Sequence, residues 1–172
     1  MQKIQNIEFY EERKDMAAAF RWAERLNLHE AVANHFSLAV NENGTKFLMN
    51  PNRWHFSRIK ASDLLLLDAN DKAVLESENP PDATAWGLHG AIHKNCPHAK
   101  CVMHIHSVHA TVLASMKESI LPPINQVASI FFNRQIVDNN YGGLAFEKEG
   151  ERCSQLLQNT KFTTMIMGNH GF

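Results

Sequence analysis

Residues 101–111 read CVMHIHSVHAT, with two histidines separated by a single isoleucine. The apolar residues before them predict a strand over Cys101–Ile105. Because side chains two apart on a strand point to the same face, His104 and His106 are expected to lie side by side. Two neighbouring imidazoles can bind one metal ion, although the same pattern also occurs on an ordinary exposed strand. The stretch therefore predicts either part of a metal site or a plain strand face.

A third histidine would decide between these two interpretations. Catalytic zinc usually has three protein ligands and keeps a fourth position open for water or substrate. His170 lies in the sequence Gly168–Gly171 (GNHG), a turn directly after a predicted strand over Phe162–Met167. We therefore take His170 as the candidate third ligand. Three imidazoles of this kind would suit zinc, iron, cobalt, nickel or copper.

Two further histidines lie four residues apart in a predicted helix. His89 and His93 would share one face of a helix that Asp82 or Thr84 can cap. The same spacing occurs in HExxH metal sites, but the glutamate of that motif is absent here. We expect His89 and His93 to pack against the sheet as hydrogen-bonding partners rather than to bind metal.

The remaining histidines carry weaker predictions. His109 follows His106 by three residues and could orient a ligand or line a pocket, or could simply start a helix. His29, His55 and His98 have no informative spacing, so we expect them at the surface or in loops.

The composition is that of an ordinary globular domain. Of 172 residues, 44% are hydrophobic and 20% are charged, which predicts a single domain over residues 1–172. The formal net charge of −1 gives no field that would attract nucleic acid or an anionic membrane, so neither is expected as a partner. Apolar runs such as Leu64–Leu67 are far shorter than the roughly 20 residues of a membrane span. Three cysteines without a CxxC motif, and a polar stretch over Met1–Tyr10, predict a cytoplasmic location.

Helical and strand patterns alternate along the chain. Apolar residues at helical spacing predict helices over Phe9–Leu28, Trp86–His93, His109–Ser115 and Glu147–Gln158. Short strand-like segments joined by turn residues predict two β-hairpins, one from Ser37–Val40 with Lys46–Met49 and one from Leu64–Leu67 with Ala73–Leu75. This alternation predicts an α/β or α+β domain with a largely antiparallel sheet.

Other catalytic motifs have no counterpart in the sequence. It contains no GxGxxG, GxxxxGK[ST] or GxSxG, so dinucleotide binding, P-loop chemistry and α/β-hydrolase chemistry are not indicated. Cys101 precedes His104 by three residues, but its apolar neighbours favour a small core residue over a nucleophile.

The order of these motifs resembles that of the class II aldolase/adducin family. The resemblance rests on residues 101–111 and on Met167–Gly171 (MGNHG), and it extends over about residues 15–172. Upstream segments match as well: 34–37 (NHFS), 49–51 (MNP) and 55–64 (HFSRIKASDL). Tyr141–Gly143 (YGG) resembles the adducin-like branch of the family.

The resemblance implies a fold, a metal and a class of reaction. The fold would be a three-layer α/β/α arrangement with a central, largely antiparallel sheet, in a homotetramer with active sites at subunit interfaces. His104, His106 and His170 would bind one divalent metal, usually zinc, with manganese or iron also possible. The metal would stabilise an enediolate formed from a small hydroxy-carbonyl substrate. Members of the family continue through further helices, so the domain over residues 1–172 would be truncated at its C-terminus.

Two positions depart from the family pattern. The carboxylate that moves a proton in the family would stand at Ala85, and a tyrosine that assists aldol cleavage would stand at Gln126. Alanine cannot transfer a proton, and loss of a general base commonly costs about 10² to 10⁴ in rate. Asp82, His109 or metal-bound water would therefore have to take over proton transfer, which makes Asp82 and His109 the candidate catalytic residues.

Substrate-binding candidates come from the same resemblance. They lie in segments that match the family's substrate loops and are Asn34, His35, Ser37, Arg53 and Ser57. Arg53 stands where glycine is common in the family. Its guanidinium could bind a phosphate or carboxylate with two parallel hydrogen bonds, or could be a solvated loop residue.

These expectations lead to one leading function and two alternatives. The leading function is a metal-dependent lyase of class II aldolase type that cleaves or decarboxylates a small sugar-phosphate or keto-acid. The first alternative is a non-catalytic, adducin-like oligomeric scaffold, which Ala85 and Gln126 favour and the intact histidine trio opposes. The second is a non-haem metal enzyme that uses the three histidines for oxygen chemistry.

Overall fold

Helices and short strands alternate along the chain. The computed structural model describes residues 7–140 and 147–172, so the Tyr141–Gly143 motif lies outside the described residues. The helices are α1 (Tyr10–Arg25), α2 (Ala83–Asn95), α3 (Val108–Ala114), α4 (Gln126–Ser129) and α5 (Glu147–Leu157). The strands are β1 (His35–Ala39), β2 (Lys46–Met49), β3 (Leu65–Asp68), β4 (Cys101–His104), β5 (Gln135–Asp138) and β6 (Thr164–Met167).

Four of the strands form one antiparallel sheet in the order β3-β2-β1-β4. β1 pairs with β2 through Ser37 opposite Met49, and with β4 through His35 opposite His104. β5 and β6 form a separate parallel pair. Helices thus accompany a mostly antiparallel sheet, which confirms the expected α/β class.

The first predicted hairpin is present, but the second is wrong. Leu65–Asp68 forms β3 and pairs with β2, whereas Lys72–Glu76 forms 3₁₀ helix instead of a return strand. Asp71 starts that helical turn, because its side chain accepts a hydrogen bond from the amide of Ala73. The sequence also does not predict β5, since Gln135–Asp138 has only two apolar residues in succession.

The two faces of β1 contact different helices. Phe36 faces α1, where it stacks on Phe20 with ring centroids 4.9 Å apart, and Phe56 packs edge-on against the same Phe20. Because side chains alternate along a strand, His35 and Ser37 face the opposite side, towards α2. The antiparallel sheet therefore has an aromatic core on one face and histidines on the other.

Close packing against α5 holds α2 in place. A Cβ atom at Gly150 would lie 2.7 Å from the carbonyl oxygen of Gly87, so the two helices approach at backbone distance there. Leu88 and Ile92 of α2 are buried with Cys153 of α5 in one apolar cluster. This contact positions the helix that carries His89 and His93.

All three cysteines are free thiols, with Cys96 and Cys153 buried and Cys101 exposed on β4. Across residues 7–140 and 147–172, no helix has the length and apolar character needed to cross a lipid bilayer.

Candidate metal centre

Three histidines from distant parts of the chain meet at one end of β4. Their Nε2 atoms lie 2.8 Å apart for His104 and His106, 3.2 Å for His106 and His170, and 3.1 Å for His170 and His104. The rings of His104 and His170 stack, and the ring of His106 lies edge-on to both. The structure thus brings the predicted trio into one cluster that could hold a metal ion.

Two of the three rings are held by the nitrogen that faces away from the cluster. Nδ1 of His104 donates to the carbonyl oxygen of Phe172 at 2.8 Å, and Nδ1 of His106 donates to Oε2 of Glu30 at 2.9 Å. A carbonyl oxygen can only accept, so its partner Nδ1 carries the proton. Nε2 then keeps its lone pair for a metal.

This set of donors fits a cation. In the neutral tautomers with Nδ1 protonated, the Nε2 lone pairs of His104 and His106 would face each other across 2.8 Å with no proton between them. Burial and neighbouring histidines lower the pKa of His104 well below its ordinary value, and that of His170 to about 4. At neutral pH neither ring therefore gains a second proton. A divalent cation among the three nitrogens would remove the repulsion.

The turn after β6 presents His170 to the cluster. Asn169 adopts a left-handed φ of 59°, which asparagine tolerates better than most residues. Gly171 packs directly on the cluster, because a Cβ atom there would lie 2.7 Å from Cδ2 of His106 and 2.7 Å from the carbonyl oxygen of Ile105. A side chain at Gly171 would therefore have to displace a residue of the cluster.

A line of hydrogen bonds, called here the histidine relay, runs behind the cluster. Nδ1 of His93 donates to the carbonyl oxygen of Ala99 at 2.9 Å, so Nε2 of His93 accepts from the Ser37 hydroxyl at 2.7 Å. The Ser37 oxygen then accepts from Nδ1 of His89, whose Nε2 accepts from Nδ1 of His35 at 2.8 Å. The carbonyl at one end thus sets the tautomer of every ring and leaves Nε2 of His35 with a lone pair.

The histidine relay is neutral, and it ends against the ring of His104 in the three-histidine cluster. Burial lowers the pKa of His35 and of His93 to about 4, and that of His89 well below its ordinary value. The ring of His35 stacks on that of His104 with centroids 4.7 Å apart. The prediction that His89 and His93 pack against the sheet as hydrogen-bonding partners is confirmed.

A cavity of about 320 Å³ opens beside the cluster. Its size is in the range of sites for small organic molecules. Besides the three histidines, it is lined by the predicted substrate residues Asn34, His35 and Arg53, by the predicted catalytic residue Asp82, and by Ala85.

Asp82 lies at the cavity wall, but its carboxylate caps α2. Oδ1 accepts from the amides of Thr84 and Ala85 at 3.0 Å each, and from the Thr84 hydroxyl. Burial raises the pKa of Asp82, but these hydrogen bonds outweigh burial and the net pKa lies below its ordinary value. Asp82 is therefore an ionised helix cap at neutral pH and is poorly suited to donate a proton. Ala85 beside it contributes only a methyl group.

Asn34 lines the cavity and carries a buried hydrogen-bond donor without a described partner. The residue is 2% exposed, and its Oδ1 accepts from the amide of Glu30 at 2.6 Å. Its Nδ2 is buried and has no hydrogen-bond partner within the described part of the chain. A buried polar group left unpaired costs about 1–3 kcal/mol, so a ligand oxygen that accepts from Nδ2 would be stabilised.

Arg53 stands at the mouth of the cavity in a strained conformation. Its φ of 61° is left-handed, which costs a residue with a Cβ atom about 1–2 kcal/mol. The side chain is exposed and also lines a neighbouring cavity together with Arg58 and Lys60. The positive charges of Arg53, Arg58 and Lys60 therefore favour binding of an anion.

Several predicted residues lie away from this cavity. Ser37 is fully buried in the histidine relay, and Ser57 is exposed and hydrogen-bonded to His55. His109 is exposed on α3, which begins after the cap at Ser107, and it lines an apolar groove instead. The structure therefore does not place Ser37, Ser57 or His109 in the cavity. Gln126 begins α4 and is likewise exposed.

Sequence reasoning misses the groups that hold the metal-site rings from behind. Glu30 precedes His106 by 76 residues, and Phe172 follows His104 by 68, so no local spacing links them. A backbone carbonyl also leaves no residue signature. His29 and His55, expected as unrelated surface or loop residues, lie with their Nε2 atoms 3.0 Å apart.

A family model matches most of the chain. Residues 14–172 match the family described as Class II Aldolase and Adducin N-terminal domain. The chain therefore belongs to the class II aldolase and adducin family, which confirms the resemblance in the order of its motifs.

Two curated relatives from Streptomyces are similar along most of this chain. It is 28% identical over 157 residues to the 4-hydroxy-3-prenylphenylpyruvate oxygenase/4-hydroxy-3-prenylbenzoate synthase of Streptomyces roseochromogenus subsp. oscitans. It is also 28% identical over 157 residues to Decarboxylase NovR of Streptomyces niveus. Each alignment covers 90% of this chain but 56% and 57% of the respective relative. The chain thus spans little more than half the length of these relatives.

A solved structure shows the same fold. The crystal structure of an aldolase II superfamily protein from Pseudomonas syringae matches with a TM-score of 0.81 at 27% sequence identity. The match covers 92% of this chain and 63% of that one. The fold is therefore that of the class II aldolases.

Proposed function

We propose that this protein is a metal-dependent lyase that breaks a carbon–carbon bond of a small keto-acid by decarboxylation. One observation carries the proposal: the three-histidine cluster borders a cavity whose single acidic residue among those described, Asp82, uses Oδ1 to cap α2.

The weakness of the bases in that lining favours decarboxylation over aldol cleavage, because the net pKa of Asp82 lies below its ordinary value and that of His35 is about 4. Aldol cleavage starts with removal of a proton from a hydroxyl group, which requires a general base. In decarboxylation of a 3-keto acid, the bond between C2 and the carboxylate carbon breaks, its electron pair forms an enolate with the C3 carbonyl group, and CO₂ leaves. A proton from solvent then replaces the lost carboxylate. The relative named Decarboxylase NovR supports this choice.

His104, His106 and His170 would hold one divalent cation, with zinc expected first and manganese or iron as alternatives. When bound, the cation supplies a Lewis acid that stabilises negative charge developing on substrate oxygens. Glu30 and the carbonyl oxygen of Phe172 keep two of the rings oriented with Nε2 towards the cation.

Two residues of the cavity would bind the substrate. Nδ2 of Asn34 would donate to a substrate oxygen, which gives this buried amide the partner it lacks among the described residues. The exposed guanidinium of Arg53 would bind the substrate's carboxylate or a phosphate with two hydrogen bonds. The proposal also includes the family's homotetramer, with active sites near subunit interfaces, and a cytoplasmic location.

Metal analysis combined with a substrate screen tests the proposal. Protein reconstituted separately with Zn²⁺, Mn²⁺ and Fe²⁺ is assayed for CO₂ release from keto-acids and for aldehyde release from hydroxyketone phosphates. We expect about one metal per chain and CO₂ release as the main activity. His104→Ala should lose both, while the control His98→Ala, at an exposed histidine outside the cluster, should keep both. Wild-type protein that binds no metal, or that releases aldehyde without CO₂, would contradict the proposal.

A second candidate function rests on the relative named as an oxygenase. Three neutral imidazoles also suit Fe²⁺, which can react with oxygen. Turnover that depends on Fe²⁺ and consumes O₂ would favour this candidate. A stable oligomer without turnover under all three metals would favour the adducin-like scaffold instead.

A further inference from the structure

A second cavity, of about 670 Å³, adjoins the cavity beside the three-histidine cluster. Arg53 and Val32 line both cavities. The other cationic residues that line the second cavity are Arg21, Arg58 and Lys60, and we call this cavity the cationic pocket. The two cavities therefore meet at Arg53 and Val32, where a single ligand could occupy both.

Positive charge is concentrated in the cationic pocket. Its described lining residues carry four positive charges and one negative charge, that of Asp63, whereas the whole chain has a formal net charge of −1. None of the four cations forms an ion pair within residues 7–140 and 147–172. Asp63 accepts hydrogen bonds from the amide of Lys60 at 2.9 Å and from the Ser62 hydroxyl at 3.3 Å. A cleft lined mainly by charges of one sign raises the local concentration of counter-ions, so the pocket favours an anion.

Local hydrogen bonds place the residues of the cationic pocket. Arg21 on α1 donates from Nη1 to the carbonyl oxygen of Phe56, which begins the 3₁₀ turn Phe56–Arg58. His55 caps the same turn, because its Nδ1 accepts from the amide of Ser57 at 3.3 Å. The turn is thus held against α1.

Two arginines of the cationic pocket contribute little to the fold. The side chains of Arg53 and Arg58 are exposed, so neither packs in the core. Arg53 also keeps its left-handed φ of 61°, which glycine would adopt without the steric cost of a Cβ atom. Strain of this kind is typical of residues whose side chains serve a ligand. Both guanidinium groups are therefore available for binding.

The chemistry of decarboxylation decides which group of a substrate these cations can bind. The carboxylate that leaves as CO₂ loses its negative charge while the carbon–carbon bond breaks. A cation bound to that carboxylate would stabilise the substrate more than the transition state and would slow the reaction. An anionic group that remains in the product keeps its charge, so its binding has no such effect. The cationic pocket therefore suits a second anionic group, away from the bond that breaks.

We propose that the cationic pocket binds the second carboxylate of a dicarboxylic 3-keto acid, whose reacting carboxylate lies in the cavity beside the three-histidine cluster. Arg53 and Arg58 bind this second carboxylate, since a guanidinium can donate two parallel hydrogen bonds to it. Val32 and Trp54 give the intervening carbon chain an apolar wall. The assignment to a substrate rests on the proposed function, whereas binding of a carboxylate by the pocket does not.

Binding of the expected product tests the cationic pocket by itself. The probe is 4-oxopentanoate, the product of decarboxylation of 3-oxohexanedioate, and the uncharged control ligand is pentan-2-one. Both are titrated into metal-free protein at constant ionic strength, and the amide signals of Ser57 and Arg58 are followed by NMR. We expect 4-oxopentanoate alone to shift these signals. Arg58→Gln should weaken its binding by about tenfold.

Arg25→Gln is the matched control for Arg58→Gln. It removes the same charge from an exposed arginine that lines neither cavity, so it should bind 4-oxopentanoate like the wild type. Equal binding of 4-oxopentanoate to the two variants would overturn the anion site, even if the protein releases CO₂ from keto-acids.

Rates of CO₂ release test the assignment to a substrate. Metal-loaded protein is assayed with 3-oxohexanedioate and 3-oxooctanedioate, each beside the monoacid of equal length, 3-oxohexanoate or 3-oxooctanoate. We expect kcat/KM to be at least about tenfold higher for the dicarboxylate at one or both lengths. Arg58→Gln should remove most of this preference, and Arg25→Gln should keep it.

The two experiments separate failure of the pocket from failure of the proposed function. Binding of 4-oxopentanoate that depends on Arg58, without a preference for the dicarboxylate at either length, would overturn the assignment to a substrate, because the pocket would then hold a separate anion. No CO₂ release from any of the four acids would contradict the proposed function and the assignment to a substrate. Binding that depends on Arg58 would still support the anion site in that case.

Discussion

Oε2 of Glu30 lies 2.9 Å from Nδ1 of His106, on the side of the ring opposite the nitrogen that faces the cluster. The side chain of Glu30 is 67% exposed to solvent. Asn34 accepts from the amide of the same Glu30 and also lines the cavity. One short segment thus orients a metal-site ring and supplies a substrate-binding candidate.

The first prediction concerns this contact. Glu30→Gln should lower zinc affinity by about 10- to 100-fold, because an amide makes a weaker partner for the imidazole Nδ1 proton than a carboxylate does. Thermal stability of the metal-free protein should change little, since the side chain is exposed. Competition with a chromophoric chelator measures the affinity. Glu118→Gln, at another exposed glutamate, is the matched control, and equal affinities in the two variants would refute the role of Glu30.

The second prediction concerns the space at Gly171. Gly171→Ala should displace the ring of His106 or the backbone at Ile105, because its Cβ atom would lie 2.7 Å from each. We expect a loss of about 1–3 kcal/mol in the free energy of unfolding and a marked loss of zinc affinity. Gly90→Ala provides the comparison, since its Cβ atom would meet the Ala69 side chain at 3.2 Å, away from the cluster. If both variants bind zinc as tightly as the wild type, close packing at Gly171 is not needed for zinc binding.

The third prediction concerns the histidine relay. Ser37→Ala removes the hydroxyl that lies between His89 and His93 and leaves a nitrogen of each buried ring unpaired. The free energy of unfolding should fall by about 1–3 kcal/mol per unpaired nitrogen, as measured by urea denaturation. Ser77→Ala, which removes an exposed hydroxyl from a turn, should cost much less. Similar losses in the two variants would show that the relay does not stabilise the fold.

The fourth prediction concerns acid. His35 and His93 have a pKa of about 4 in the folded chain, below the ordinary 6.5 expected when the chain is unfolded. As pH falls from 6.5 to 4, the unfolded chain binds protons that the folded chain does not, so the free energy of unfolding decreases. Over this pH range the free energy of unfolding should fall by about 3 kcal/mol for each histidine. Urea denaturation of metal-free protein at several pH values measures it.

A variant tests whether the relay causes this acid sensitivity. His93→Asn removes one of the buried titrating rings, so its stability should depend less steeply on pH between 6.5 and 4 than that of the wild type. His98→Asn removes an exposed histidine and should leave the slope unchanged. A wild-type stability that stays constant over this pH range would rule out the depressed pKa values.

Local sequence patterns predict the helices and strands that carry the site. Tertiary contacts decide where the individual side chains lie relative to the cavity. The first hairpin and β4 follow from short strand-like segments and turn residues, and the proximity of His104 and His106 follows from the two-residue period of a strand. The turn after β6 suggests His170 as the third ligand. Its approach to His106 depends on the absence of a side chain at Gly171, which packs against that ring. The placement of His109 could not be predicted, because its spacing from His106 does not reveal which groove the start of α3 lines.

Contacts between distant segments account for what the sequence does not reveal. Ser37 is a plausible substrate residue by its motif, yet burial between two helix histidines gives it a different role. The turn at Asp71 replaces a second return strand, since one side-chain hydrogen bond suffices to start a 3₁₀ helix there. The parallel pairing of β5 and β6 brings together segments whose individual apolar patterns are short.

The wide separation of the metal-site residues also affects the order of events during protein synthesis. His104 precedes His170 by 66 residues, which a ribosome adds in roughly 3–13 s. The four strands of the antiparallel sheet end at His104 and can pair well before His170 is made. We therefore expect the metal centre to be completed late in biogenesis, on a sheet that has already folded. A cation that arrives earlier meets two histidines instead of three.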